Sequence, residues 1–171
     1  MWQPMPCTWL LLVLVVITAL APARGLAVRK PPRELLRRAA YPHFESIQTR
    51  WNDMDAFGHI NNAMYYNYVD DAVNGHLARN GVPTAIQRFT SESSCRYLKQ
   101  MAWPAPVNVG LRVRIGRSSA AYQLGLFEAE MEEASALATF THVYVDARGK
   151  PCKIDEVVRA VLEPLVPLDD M

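Results

Sequence analysis

The sequence has little of several features that would assign it to a special class of protein. Only 3 of its 171 residues are cysteines, and 8 glycines with 12 prolines are too few for a collagen-like or low-complexity chain. No two cysteines form a Cys-x-x-Cys pair, so we expect neither a disulfide framework nor a structural zinc site built on cysteines. A net charge of +1 gives no reason to expect nucleic acid as a partner. Half of the residues are apolar, and the chain has 4 tryptophans, 7 tyrosines and 5 phenylalanines. These are enough for an ordinary globular core.

Residues 1–40 differ in composition from the rest of the chain. They carry six basic side chains and one acid, whereas residues 41–171 carry 12 basic and 16 acidic side chains. The apolar run at 9–20 is shorter than the roughly 20 residues that span a bilayer. No Lys or Arg precedes this run, and the Arg-rich stretch behind it favours an organelle presequence, mitochondrial above all. The alternatives are membrane anchoring or entry into the secretory pathway through 9–20, and an inert extension.

Regular apolar patterning predicts one domain over residues 41–166, followed by a short tail at 167–171. Alternation from Tyr41 to Trp51 indicates a first strand, with positions 41, 43, 45, 47, 49 and 51 on one side. Four more extended stretches are predicted at 89–99, 107–117, 121–131 and 137–146. The alternation slips between Leu126 and Phe127, which predicts a β-bulge there.

Two segments have the helical period instead. Apolar residues recur at spacings of three and four from Tyr65 to Leu77, with Asn61 and Asn62 as caps and a stop at Asn80-Gly81. A last helix is predicted from Asp155 to Pro164, with a stripe of Val157, Val158, Val161, Leu162 and Leu165. The order is strand, helix, four strands, helix. It predicts an α+β fold in which a five-stranded antiparallel sheet wraps around one long central helix, with a C-terminal helix.

Polar residues concentrate between the first strand and the long helix, in the segment RWNDMDAFGHINNAMYYNYVDDA at 50–72. Asp53 and Asp55 point the same way in an extended chain, and Gly58 allows a turn before the helix. The helix start offers unpaired N–H groups that can stabilise an oxyanion. A carboxylate beside such donors indicates acyl transfer, and no Gly-x-Ser-x-Gly motif offers a serine nucleophile instead.

The motif Arg-Trp-x-Asp-x-Asp-x-x-Gly-His-Ile-Asn-Asn, followed by Tyr65, Tyr68 and the acid Asp70, resembles a known family. It is similar to the 4-hydroxybenzoyl-CoA thioesterase-like branch of the hotdog superfamily, particularly to its bacterial long-chain acyl-CoA thioesterases. The resemblance covers about Phe44 to Leu165 and implies the hotdog fold. It also implies hydrolysis of fatty or aromatic acyl-CoA without a metal or organic cofactor. Because the sites of this family form between two subunits, a homodimer or homotetramer is implied.

The resemblance also implies a role for each site residue. Asp55 would be the catalytic carboxylate, acting as a nucleophile or as a general base on water. A second set would form the turn and polarise the thioester carbonyl through the backbone N–H groups at the helix start: Gly58, His59, Asn61, Asn62 and Ala63. A third set would contact the acyl chain or coenzyme A: Tyr65, Tyr68, Lys99, Arg117 and Ser118, with Arg112 and Arg114 as further basic groups.

Several of these residues have a structural alternative. Taken alone, Asp55 is an ordinary turn carboxylate, and Asp53 is expected to be a structural hydrogen-bond acceptor. Tyr65 and Tyr68 lie on the apolar stripe, where core packing is the simpler role. Cys95 could be a catalytic thiol, but filler of a buried strand is favoured.

Metal-dependent and non-hydrolytic functions are less well supported. A calcium loop counted from Asp53 would need oxygen ligands at its fifth and twelfth positions, which are Phe57 and Met64. We therefore expect no metal at this loop. The alternative function is a non-catalytic module that binds acyl-CoA. A hydratase of the same fold would need an Asp-His arrangement on another stretch, which the sequence does not contain.

Overall fold

The computed structural model describes residues 30–167, and from Pro31 onward these belong to one compact unit. The apolar run at 9–20 and residues 168–171 of the predicted tail lie outside the described residues. The strands are β1 His43–Ile47, β2 Arg88–Tyr97, β3 Val107–Ile115, β4 Ser119–Glu128 and β5 Ala136–Tyr144. The helices are α1 Met64–Arg79 and α2 Glu156–Leu162, with 3-10 turns at Glu34–Leu36, Arg38–Ala40, Trp51–Asp53 and Glu163–Leu165. Within the described range no helix is both long and apolar enough to cross a bilayer.

The five strands form one sheet in the order β1-β3-β4-β5-β2, and every neighbouring pair is antiparallel. β1 and β2 are therefore the two edges of the sheet. The long helix α1 packs against one face, which confirms the predicted α+β architecture. β2 is poorly covered, since none of its ten residues is buried. An exposed edge strand of this kind offers unpaired backbone groups to another chain.

The core lies between α1 and the inner face of the sheet. The buried residues of α1 are those that the helical period predicts: Tyr65, Tyr68, Val69, Ala72, Val73, His76 and Leu77. The inner face meets them with fully buried side chains that alternate along β3 and β4: Val109, Leu111, Leu124 and Leu126. The helix ends at the predicted stop, where Gly81 has a φ of 76° and its N–H bonds to the Ala78 carbonyl.

The outer face of the sheet is covered by the chain that precedes β1. Tyr41 lies across Gly110 and Gly125, which are opposite each other in the β3–β4 register. Its hydroxyl donates to the Leu35 carbonyl at 2.8 Å. The Arg38 guanidinium lies 4.5 Å from the centre of the Phe44 ring. Tyr41 is thus on the opposite side of the sheet from Glu45, which contradicts the single-sided strand predicted from Tyr41 to Trp51.

Three other details differ from the sequence prediction. The β3–β4 register runs without a shift through Leu126 and Phe127, so the predicted bulge is wrong; both residues are buried because both faces of the sheet are covered there. The irregularity lies in β2 instead, between Thr90 and Glu92. Val157 is 49% exposed and does not belong to the buried stripe of α2. The start of α2 is as predicted, because Asp155 accepts a hydrogen bond from the Val157 N–H.

Candidate active site

The segment between β1 and α1 forms a closed loop. At its base the Asn61 N–H donates to the Asp53 carbonyl at 2.8 Å, and Met54 pairs with Ile60 in an isolated bridge. Nearer the tip, the Asp55 N–H donates to the His59 carbonyl, also at 2.8 Å. Gly58 has a φ of 79°, a backbone conformation that favours glycine, and so fulfils its predicted role in the turn.

Asp55 contributes to this loop with one oxygen of its carboxylate. Asp55 Oδ1 accepts hydrogen bonds from the backbone N–H groups of Phe57, at 2.8 Å, and of His59, at 3.4 Å. No residue in 30–167 bonds to the second oxygen, Oδ2. The side chain therefore serves as a turn acceptor through one oxygen only.

Asp53 is held much more firmly. It is almost fully buried and accepts hydrogen bonds from the Tyr68 hydroxyl at 2.8 Å and from the Arg50 backbone N–H at 2.8 Å. The Arg50 side chain adds a third hydrogen bond, to Asp53 Oδ1. Burial raises the pKa of the Asp53 carboxyl, but these hydrogen bonds outweigh it and leave the pKa below its usual range. Asp53 is the structural acceptor that the sequence predicts.

The start of α1 follows directly after the loop. Asn61 Oδ1 accepts the Ala63 N–H at 2.9 Å, and the Asn61 carbonyl accepts the Met64 N–H. These contacts close a turn directly before the helix, whose N-cap position is Ala63 and has no side-chain hydrogen bond, so the predicted capping by Asn61 and Asn62 is wrong. The Ala63 N–H is occupied by this contact, whereas the Asn62 N–H has no acceptor within the described part of the chain. The Asn62 carbonyl is held by the Tyr97 hydroxyl at 2.9 Å.

An open cleft of about 730 Å³ lies beside the loop. This volume is in the range of small-molecule sites. Asp55 lines the cleft together with the helix start and with the end of β2. The lining residues are Asp55, Phe57, His59, Ile60, Asn62, Tyr65, Tyr97, Leu98, Lys99 and Gln100.

The wall of the cleft is aromatic. Tyr65 is buried and meets Tyr97 edge-to-face, with 5.0 Å between the ring centres. Burial raises the pKa of the Tyr65 hydroxyl to about 12, so the group stays neutral. Burial likewise raises the pKa of the nearby Cys95 thiol to about 11. A thiol held in its protonated form is a poor nucleophile, which disfavours the catalytic role. Cys95 is half-buried against the core, although its strand β2 is not the buried strand that the sequence predicts.

The structure brings together most of the predicted site residues but not all of them. Tyr68 is absent from the cleft lining, and its hydroxyl supports Asp53 instead. Lys99 lines the cleft and pairs with Glu133 at 2.9 Å. Arg117 and Ser118 lie in the β3–β4 turn, at the end of the sheet away from the cleft. Within one chain, Arg117 and Ser118 therefore do not lie in the same cleft as Asp55.

Several lining residues are not among the sequence predictions: Phe57, Ile60, Tyr97, Leu98 and Gln100. Phe57 and Ile60 belong to the motif segment and could have been included from their position beside Asp55. Tyr97 comes from β2, which reaches the helix start only through its pairing with β5. No local pattern in the sequence marks that approach.

Comparison with protein families agrees with this geometry. The family model described as "Thioesterase-like superfamily" matches residues 49–162, which include the loop, α1 and all of β2 to β5. The chain belongs to the thioesterase-like superfamily. Among curated proteins, none matches the chain.

Solved structures similar to this thioesterase include a protein from Pseudomonas aeruginosa. It is 39% identical with a TM-score of 0.74, and the match covers 78% of this chain and 97% of that one. A thioesterase from Thermus thermophilus, complexed with coenzyme A and Zn, is 25% identical with a TM-score of 0.62, over 73% of this chain and 94% of that one. A 1,4-dihydroxy-2-naphthoyl-CoA thioesterase from Synechocystis, at 12% identity and a TM-score of 0.65, covers 70% of this chain and 93% of that one and shares the fold. The protein is a thioester hydrolase with the hotdog fold.

Proposed function

We propose that this thioesterase hydrolyses fatty or aromatic acyl-CoA to the free acid and coenzyme A, with Asp55 as its catalytic carboxylate. The observation that carries the proposal is the state of Asp55 in the cleft. One of its oxygens holds the turn, and the other has no partner among the described residues. The coenzyme A bound to the Thermus thermophilus thioesterase supports coenzyme A as the thiol part of the substrate.

The chemistry needs only groups that line the cleft. As a nucleophile, Asp55 adds to the thioester carbon, the C–S bond breaks, and water hydrolyses the resulting mixed anhydride. As a general base, Asp55 takes a proton from water, the hydroxide adds to the same carbon, and the proton passes to the departing thiolate. Both routes proceed without a metal or organic cofactor, because a thiolate is a weakly basic leaving group.

We assign the oxyanion donor to the Asn62 N–H. It lies at the positive end of the α1 dipole and has no acceptor in the described chain, whereas the Ala63 N–H is bonded to Asn61. The carbonyl oxygen of the substrate would thus lie at the helix start, with the acyl group along Tyr65. His59 contacts the substrate beside Asp55, and Lys99 pairs with a coenzyme A phosphate.

Substitution of Asp55 tests this proposal. Asp55→Asn retains an oxygen that can accept the Phe57 N–H and removes the negative charge, so the turn is kept while the chemistry is lost. We expect kcat to fall by about 10²–10⁴-fold in Asp55→Asn and in Asp55→Ala, measured as thiol release from a panel of acyl-CoA substrates.

Asp71→Asn is the matched control, since Asp71 is an exposed acid on α1. Its kcat should equal that of the wild type. Unchanged turnover in both Asp55 variants would refute the assignment. A wild-type protein that binds acyl-CoA without releasing thiol would be the non-catalytic binding module.

We further propose that the thioesterase assembles as a homodimer or homotetramer through the β2 edge. The support is the lack of any buried residue in β2, together with Phe89 and Tyr97, which are 58% and 42% exposed. In such an assembly, Arg117 and Ser118 of a second copy would supply the coenzyme A contacts that one chain does not bring to its own cleft.

Residues 1–40 are proposed to direct the protein to an organelle, with mitochondria favoured over membrane anchoring or the secretory pathway. The support is their composition, six basic side chains against one acid. Fused to a fluorescent reporter, they should give a mitochondrial signal. A diffuse cytosolic signal would refute targeting, and a reticular or surface signal would favour the alternative.

A further inference from the structure

Away from the cleft, three side chains direct metal-ligating atoms toward one another. They are His43 and Glu45 of β1 and His76 of α1, called here the His–Glu–His cluster. Glu45 Oε1 lies 2.9 Å from His43 Nε2 and 3.2 Å from His76 Nδ1, and all three atoms lie within 4.8 Å of one another. The cluster thus joins the edge strand of the sheet to the second half of the long helix.

The two separations from Glu45 Oε1 are close to those between neighbouring ligand atoms of a tetrahedral zinc site. Bonds of about 2.0–2.1 Å from Zn²⁺ to nitrogen and oxygen place neighbouring ligand atoms about 3.3 Å apart. Two imidazoles and one carboxylate are a ligand set that zinc takes, with water in the fourth position. The His43 side chain is 39% exposed, which leaves a route for the ion from solvent.

The proton count on His76 favours a cation at this point. A neutral imidazole carries one N–H, and if Nδ1 uses it to bond to Glu45, then Nε2 is a bare acceptor. His76 is 7% exposed, and its Nε2 is shut off from solvent without a hydrogen-bond partner in the described chain. A cation on Nδ1 would place the proton on Nε2, so that this nitrogen becomes a donor. Metal-bound histidines commonly donate their second N–H in this way.

Arg79 is the other charged group that faces the cluster. Its guanidinium bonds to Glu45 Oε2, so Oε1 is left facing the two imidazoles. The Arg79 side chain is 61% exposed and mostly solvated. Its positive charge lowers the affinity for a cation but does not occupy the ligand position.

We propose that the His–Glu–His cluster binds Zn²⁺ through His43 Nε2, Glu45 Oε1 and His76 Nδ1, and that the ion links β1 to α1. The ligand His76 lies twelve residues beyond the first residue of α1, which is about 18 Å along the helix axis. The ion would therefore be separate from the chemistry at Asp55.

The test is a titration of the full-length protein with zinc sulfate after removal of metal by EDTA. We expect one zinc per chain, a rise in Tm on zinc addition, and X-ray absorption that reports Zn–N/O bonds of about 2.0–2.1 Å with imidazole scattering. His43→Ala and Glu45→Gln should each weaken zinc binding by about a hundredfold. The partly exposed position of His43 keeps that variant folded even where His76→Ala is not.

His59→Ala is the matched control, because His59 lies beside Asp55 and outside the cluster. It should bind zinc as the wild type does. Three outcomes would overturn the proposal: no binding below millimolar zinc, several weak sites per chain, or binding that His43→Ala and Glu45→Gln leave unchanged. The first of these would leave the cluster as a hydrogen-bonded ion network.

Discussion

At the residue scale, the two aspartates of the loop, Asp53 and Asp55, differ in how many hydrogen bonds they accept and in how buried they are. Asp53 receives three, from Tyr68 and from the backbone and side chain of Arg50, and is removed from solvent. Asp55 receives backbone hydrogen bonds on one oxygen and lines the cleft. The buried acid fixes the loop, and the partly open acid is the one that we propose to be catalytic.

Tyr68→Phe tests the support of Asp53. The variant leaves a buried carboxylate short of one hydrogen bond, so we expect it to lose about 1–3 kcal/mol of unfolding free energy at pH 7. The hydrogen bond lowers the folded-state pKa of Asp53, so its contribution is full above the unfolded pKa of about 3.9 and is lost as the pH falls below that value. Urea unfolding at pH 7 and at pH 3 should therefore show a smaller difference between the two proteins in acid.

Tyr66→Phe is the control for this measurement, since Tyr66 is exposed on the same helix. It should unfold like the wild type at both pH values. A Tyr68→Phe difference that is equally large at pH 7 and pH 3 would show that packing, and not the Asp53 carboxylate, accounts for the loss.

At the element scale, the segment before β1 depends on two glycines of the sheet. A Cβ on Gly110 would lie 2.6–2.9 Å from atoms of the Tyr41 side chain, closer than packed atoms come. We expect Gly110→Ala to displace Tyr41 and to cost about 1–3 kcal/mol of unfolding free energy. In a Tyr41→Ala background the same substitution should cost close to nothing, and chemical denaturation of the four proteins measures the coupling. An equal cost in both backgrounds would contradict the role of Tyr41.

The same double coverage of the sheet explains which elements could be predicted from the sequence. α1 has one apolar side, and its seven buried residues follow from the helical period alone. Leu126 and Phe127 are adjacent and both buried, because α1 covers one face and Tyr41 the other. A prediction from alternating apolar and polar residues assumes that one face of the sheet is exposed to solvent. Two adjacent buried residues break that alternation and are therefore interpreted as a bulge.

The candidate site was predictable only where it is local in sequence. The stretch from Asp55 to Tyr65 reaches the cleft as one segment of loop and helix, and its motif indicated it. Tyr97 lies at the cleft because β2 pairs with β5, a contact between distant parts of the sequence. Arg117 lies at the opposite end of the sheet because of the antiparallel pairing of β3 with β4. Turns between strands look alike in sequence at either end of a sheet, so the end on which Arg117 lies could not be predicted.

At the scale of the whole molecule, the uncovered β2 edge is the surface through which we propose that copies assemble. Phe89 is a large apolar side chain exposed on that edge. We expect Phe89→Lys to raise the dimer dissociation constant by about tenfold or more, because burial of a phenylalanine contributes about 1.5–3 kcal/mol. Analytical ultracentrifugation over a dilution series measures this change.

Val157→Lys is the matched control, since Val157 is an exposed apolar residue on α2. Its dissociation constant should equal that of the wild type. If Val157→Lys dissociates the assembly while Phe89→Lys does not, copies meet through α2 and not through β2. A wild-type protein that is monomeric at micromolar concentration would refute assembly through either surface.

The loop from Asp53 to Asn61 is closed by two backbone hydrogen bonds of 2.8 Å, from the Asn61 N–H to the Asp53 carbonyl and from the Asp55 N–H to the His59 carbonyl. Its tip residues Ala56 and Phe57 are exposed, and Phe57 also borders the cleft. Substitutions at the tip should therefore alter the border of the cleft without reaching the residues that keep the protein folded. The sequence of the loop tip can therefore vary during evolution, and with it the substrate preference, while the rest of the fold is retained.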